Sequence, residues 1–326
     1  PDDTPPTLME NPRLLGGGQD LVKAYQIPGY RDWDPSRVVF FSWGLFFATI
    51  VADTGYSLVL TVPLVYNWWR LGRSAIGQRL RFLFSWMLAV SVAYGILVGS
   101  YFGFPPHEGS VLERLNVLDV SDFDVMLPLS IFIGCAHLIF ANAAAALAAR
   151  QFSSKAIHSS WILVICGGFS TFILGGADGS STANTIGMGL LIAGLASLVL
   201  LGSDRKIESV ASLFRRLLDG GTNLTGITSM FGDVLSYLRL FALGLSSASL
   251  AITFNDLARL VADAVPGLGI LLAIGIFVLG HSINLLLAVI SGVVHGLRLN
   301  FIEFFRWGLE EEGYAFQPFA KKEVES

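Results

Sequence analysis

Arg239 sits in the stretch SYLRLFALGLSSASL, where Leu and Phe are its near neighbours and no acid lies closer than Asp233, six residues back. An ionisable group at mid-bilayer costs about 2.5–3.5 kcal/mol on insertion scales, so it demands a partner, a water-filled cavity or a function. A guanidinium does not give up its proton, so its chemistry is that of a permanent cation: it stabilises a carboxylate and repels other cations. Farther along, His281, Asn284, Ser291, His295 and Arg298 follow one another at spacings of three, seven, four and three residues, which places them along one helical face. That face lines an aqueous path or meets another helix, because lipid leaves such groups unsatisfied.

Each of these residues also has a plainer reading. Arg239 can form a structural ion pair with Asp233 or with a carboxylate on another helix. His295 and His281 can serve as helix-to-helix hydrogen bonds. Glu303 can line an inner path or pair with Arg306, three residues on. Asp53, in Ala-Asp-Thr-Gly, reads as a hairpin-tip or packing residue rather than an ion ligand, and His137, in IFIGCAHLIFAN, as a satisfied core histidine.

The elements that must hold these residues are membrane helices. Of 326 residues 53% are apolar and only 14% charged, and the net charge of −4 lies in a few short segments, which argues against nucleic acid as a partner. Apolar windows cover 38–69, 82–103, 125–149, 157–176, 183–201, 222–254 and 267–309, each near or above the ~20 residues that cross a bilayer as a helix. Arg70, Arg73, Arg79 and Arg81, and likewise Arg150 and Lys155, mark cytoplasmic loops. Residues 104–124, with five acids against Arg114 alone, and 177–182, with Asp178, mark external ones. The polar stretch 1–37 holds Arg13, Lys23, Arg31 and Arg37 and so reads as a cytoplasmic linker. Window 38–69 must then enter and return, with its break at Asp53-Thr-Gly-Tyr.

The prediction is an all-α polytopic membrane protein of eight passes, with both termini cytoplasmic and two long, tilted C-terminal helices. Its parts are a linker (1–37) from a preceding soluble domain, an ion-translocating membrane domain (38–312) and a cytoplasmic tail (313–326). Segment 202–221 reads as an amphipathic cytoplasmic helix, with Val210, Leu213, Leu217 and Leu218 at helical spacing. The start at Pro1, without Met or a basic n-region, argues for a fragment of a longer polypeptide and against a signal peptide. Cys135 and Cys166 lie in apolar stretches as buried spacers, the small-residue runs 143–149 and 244–249 suit close helix approach, and no cofactor or metal is called for. Phosphate-loop and HExxH signatures are missing, and Gly187/Gly189 is a poor dinucleotide fingerprint. The main competing function is a secondary transporter or channel with a buried Arg/His site, but no internal repeat of the transporter kind occurs.

SYLRLFALGLSSASL and VVHGLRLNFIEFF resemble the signature segments of the last two membrane helices of the V/A-type rotary ATPase stator subunit, a in eukaryotes and I in archaea and bacteria. NPRLLGGGQDLVKAYQIPGYRDWDPS is similar to that family's linker, FFATIVADTGYSLVL to its first hairpin and IGCAHL to a middle span. The likeness is nearer to the archaeal and bacterial branch, since Ser247 stands where eukaryotic members have His and Ala288 where they have Glu. The resemblance implies a non-catalytic subunit in an archaeal or bacterial cell membrane, the ATP site lying on other subunits. Its implied partners are a proteolipid rotor ring (c/L-type subunits) with one carboxylate per ion site, and the stalk subunits through the N-terminal domain. It further implies two offset half-channels: Arg239 facing the rotor carboxylate, Arg298 extending the positive region, His295 relaying protons or orienting Arg298, and His281, Asn284 and Ser246 on the external side.

Overall fold

The computed structural model describes residues 5–175, 182–206 and 209–317, so most of loop 177–182, including Asp178, and residues 318–326 of the tail lie outside the described residues. Among the described residues every regular element is helical. In order these are α1 (Gly16–Tyr25), α2 (Ser36–Val51), α3 (Thr54–Tyr66), α4 (Trp68–Leu71), α5 (Ala75–Val98), α6 (Val111–Leu115) and α7 (Phe123–Ala148). They continue with α8 (Phe152–Phe169), α9 (Thr182–Leu201), α10 (Val210–Thr222), α11 (Gly226–Ser236), α12 (Leu238–Ala264), α13 (Gly269–Arg298) and α14 (Phe305–Gly308). Six helical runs are long and apolar enough to cross a membrane, while α2 and α3 are shorter apolar helices.

The first apolar window does break at its Asp. Ala52 takes a left-handed conformation (φ 46°) that ends α2, and Asp53 caps α3 by accepting from the Tyr56 amide at 2.9 Å. The chain then reverses alongside α5. On α2, Gly44 lies against Trp86 and Met87, and Asp53 and Thr54 meet Gly95. Returning along α3, Ser57 Oγ reaches Ser91 Oγ at 2.6 Å and Trp68 lies under the Arg81 guanidinium, so α5 wedges between the two arms.

The linker is more structured than its turn-rich composition predicts. Its glycine run forms the start of α1, and at Gly18 a Cβ would run into the Ser36 carbonyl, so only glycine lets α1 lie this close to α2. Arg79 reaches Asp20 at 2.9 Å, and Trp33 Nε1 donates to the Gly308 carbonyl at 2.7 Å. The Thr7 and Gly29 amides donate to the Tyr314 and Glu311 carbonyls. The linker, loop 70–81, loop 149–151 and the segment after α14 therefore share one end of the bundle, the basic end. Loop 99–122 and the α12–α13 connection share the opposite, acidic end, where Asn255 donates to the Phe102 carbonyl at 2.8 Å.

The amphipathic segment forms α10, opened by a reciprocal Ser209–Ser212 capping box. It leaves Val210, Leu213, Phe214 and Leu218 exposed. Arg216 pins it to the end of α9 by donating to the Leu200 and Arg205 carbonyls at 3.4 and 2.8 Å. Residues 210–264 then run as one helical stretch of 55 residues with a break at Tyr237, ten residues past the apolar window. Residues 269–308 form a 40-residue run, about 60 Å at ~1.5 Å per residue and roughly twice a ~30 Å hydrocarbon core.

Candidate functional site

The depth of Arg239 follows from its neighbours. Tyr237, fully buried two residues earlier, bonds through its hydroxyl to His137 Nδ1 at 2.8 Å, and His137 lies near the middle of the 26-residue α7. The His137 ring stacks on Phe304 at 4.2 Å, which brings the segment after α13 to the same level. Arg239 and Glu303 thus meet near the mid-height of the bundle.

Immediately after Arg298 the helix widens into a π-helical segment, Leu299–Phe304. In an α-helix two residues five apart lie about 140° apart around the axis, so Arg298 and Glu303 would face different ways. Widening to i→i+5 bonding brings the fifth residue back toward the first. Glu303 Oε1 accordingly lies 3.8 Å from Arg298 Nε and 3.9 Å from Arg239 Nη1, with the Glu303 side chain only 2% exposed. Both distances exceed hydrogen-bond range. Among the described residues Arg239 Nη1, Glu303 Oε2 and His295 Nδ1 are buried without a hydrogen-bond partner. The guanidinium side chains are 23% and 50% exposed at the surface of the chain.

The π turn also redirects the neighbouring acids. Of the two readings of Glu303, lining an inner path or pairing with Arg306, the pairing at α-helical i,i+3 spacing does not form: the carboxylate faces the other two arginines. Arg306 Nη1 lies 3.6 Å from Asp233, which accepts from Trp307 Nε1 at 2.7 Å. Asp233 is therefore held by the end of the last helix and not by Arg239.

Toward the acidic end a second group of polar side chains is buried between α3, α12 and α13. His281 Nε2 meets Asn255 Oδ1 at 2.9 Å and His281 Nδ1 meets the Tyr56 hydroxyl at 2.7 Å. The Asn284 amide donates to that same hydroxyl at 2.9 Å and to the Ser247 carbonyl at 2.8 Å. Because Asn255 donates to Phe102, its Oδ1 must accept; the neutral imidazole therefore carries its proton on Nε2, and Tyr56 donates to Nδ1. Asn284 Oδ1 and Ser247 Oγ are left without partners among the described residues. Asp53 supports this group from behind: it accepts from Ser100 Oγ at 2.6 Å and from the Gly103 amide at 3.0 Å, tying the α2–α3 tip to the loop whose Phe102 carries Asn255.

The polar residues read along 281–298 form two groups, with apolar Ala288 between them. His281 and Asn284 are buried, whereas Ser291, His295 and Arg298 drift toward the rim. Ala288 is buried in an apolar cluster with Phe47, which also packs against Gly292. Sequence reasoning missed Tyr56, whose only sign was polarity inside an apolar window, and Asn255, which falls one residue past the window 222–254. Among the described residues no three His, Cys, Asp or Glu gather as metal ligands do.

No family model matches the chain. It is 26% identical to the A-type ATP synthase subunit I of Methanocaldococcus jannaschii, over 98% of this chain and 49% of that protein. Against the V-type ATP synthase subunit I 1 of Treponema pallidum the identity is 29%, over 99% of this chain and 53% of the relative. For the V-type ATP synthase subunit I of Chlamydia pneumoniae the figures are 26%, 98% and 56%. The chain spans about half the length of these curated relatives. Along nearly all of its own length, then, the chain's curated homologues are subunit I of archaeal and bacterial A-type and V-type ATP synthases.

Proposed function

We propose that this chain is the membrane stator part of a rotary ATPase, carrying H⁺ or Na⁺ past a rotor ring whose subunits each present one carboxylate. The observation that carries the reading is Arg239, a permanent cation at mid-height whose nearest carboxylate is beyond hydrogen-bond range. A fixed guanidinium stabilises an ionised rotor carboxylate as it passes and repels a cation that would leak straight across. Two offset half-paths meet there, one past His281, Asn284 and Ser246 and one past His295, with Arg298 extending the positive region. The apolar cluster at Phe47 and Ala288 supports this reading, because a continuous aqueous pore would dissipate the gradient.

In this reading α2 and α3 complete eight passes, the long C-terminal helices are tilted, and the basic end is cytoplasmic, carrying both termini. That sidedness is supported by the gathering of the arginine-rich loops at one end. The protein resides in an archaeal or bacterial cell membrane, and stalk subunits engage it through a domain preceding residue 1. ATP is handled on other subunits. The decisive experiment is Arg239→Ala in the assembled complex: assembly is expected to persist, with ATP synthesis and ATP-driven pumping both lost. Normal coupled pumping would refute the stator reading and favour a transporter.

A further inference from the structure

We infer, resting on the stator reading above, that Glu303 is a resident counter-charge that holds Arg239 and Arg298 together and yields Arg239 to each arriving rotor carboxylate. One buried carboxylate oxygen lies 3.8 and 3.9 Å from two guanidinium groups that would otherwise repel each other. Neither contact is a hydrogen bond, so the attraction is Coulombic and undirected, and Arg239 Nη1 keeps its donor capacity. Two positive charges against one negative leave a single net positive charge to offer. An unopposed pair of arginines would grip the rotor carboxylate and stall it, and a fully neutralised pair would not attract it. Passage requires attraction strong enough to engage and weak enough to release. The π-helical segment is what brings Glu303 to Arg298, since α-helical continuation past Arg298 would turn Glu303 about 140° away from it.

Glu303 is therefore a positioning residue acting through Arg239, distinct from an ion relay in a half-path. The two roles separate on charge balance. In the assembled complex in membrane vesicles, Glu303→Gln and Arg298→Gln are each expected to lower the maximal rate of ATP-driven pumping about tenfold, within the usual coupling range of contacting groups. The ion concentration giving half-maximal rate stays unchanged. The double variant restores the net charge and is expected to recover to within about threefold of the unmodified complex. Glu303→Asp, which keeps the charge, is expected to pump faster than Glu303→Gln. A double variant no faster than the slower single, a Glu303→Gln complex at full rate or with an altered ion dependence, or an Asp variant as slow as Gln overturns the proposal. Loss of pumping in Arg239→Ala alongside any of those results leaves the stator reading standing and removes only the role of Glu303. Normal pumping in Arg239→Ala removes both.

Discussion

The two polar groups buried along α13 differ in how completely they are bonded. At the acidic end His281 has partners on both ring nitrogens, and Tyr56 connects it to Asn284 through contacts of 2.7–2.9 Å. At mid-height Arg239, Arg298 and Glu303 lie close but unbonded, at 3.8–3.9 Å, with polar atoms to spare. A bonded network fixes one arrangement and makes every partial loss costly, whereas opposite charges that face each other beyond hydrogen-bond range can change partner without breaking a bond between them. The first group has the character of a strut beside the external half-path and the second, on the stator reading, that of a contact able to open and close.

The largest effect that separates them is expected from Arg239→Lys. A lysine keeps a charge but lacks the planar fork that can face Glu303 and a passing carboxylate together, and a desolvated ammonium can give up its proton. Coupled pumping in the assembled complex is expected to fall at least about a hundredfold, a loss of the size seen when one preorganised charge donor is removed. Retained pumping would show that any cation suffices there and would erase the distinction between the two groups. Tyr56→Phe should act on the other side of the comparison. It leaves His281 Nδ1 and an Asn284 donor buried without their partner, each at about 1–3 kcal/mol. A lowered thermal midpoint of the detergent-solubilised complex is the expected result, with the pumping rate of the folded fraction within about threefold of normal. A large rate loss at unchanged thermal stability would move Tyr56 into the ion path.

The smallest effect concerns the apolar cluster between the groups. Cysteines introduced singly at positions 277–302, in a background lacking Cys135 and Cys166, are expected to react with soluble thiol reagents toward each end and to resist them near 288. Ala288 is 4% exposed, so its replacement also perturbs packing, by about 1–3 kcal/mol for an overpacked core site. Uniform reactivity from one side of the membrane would indicate a single wet face and dissolve the boundary between strut and contact.

Much of this architecture is legible in the residues because lipid restricts backbone choices. Apolar windows became helices, the Ala-Asp-Thr-Gly break became a reversal, and loop charge sorted the connections to the two ends. What stayed hidden depends on geometry that spacing rules assume away. Pairing Glu303 with Arg306, one of its two readings, rests on an i,i+3 rule that presumes α-helix, and the π segment voids that premise. Tyr56 meets His281 from a helix far away in sequence and Asn255 from the preceding helix, and nothing local marks either meeting. The linker helix α1 escaped notice because three successive glycines read as a turn, whereas here they remove side chains so that α1 can lie against α2.

The pairing of residues 5–33 with residues 308–316 has a mechanical side. Thr7 bonds to Tyr314 and Phe316, Gly29 to Glu311, and Ile27 to Gly313, while the Trp33 indole holds Gly308 at the end of the 40-residue helical run. A pull along this strap loads those bonds side by side instead of one after another, the geometry in which hydrogen bonds resist best. Force entering the chain near residue 7 is therefore delivered, through a brace and with little slack, to the helix that carries Arg298 and Glu303. On the stator reading proposed above, such a strap is where the chain resists the torque of a rotor, since it ties the beginning of the described chain to the helical run that carries its charged centre.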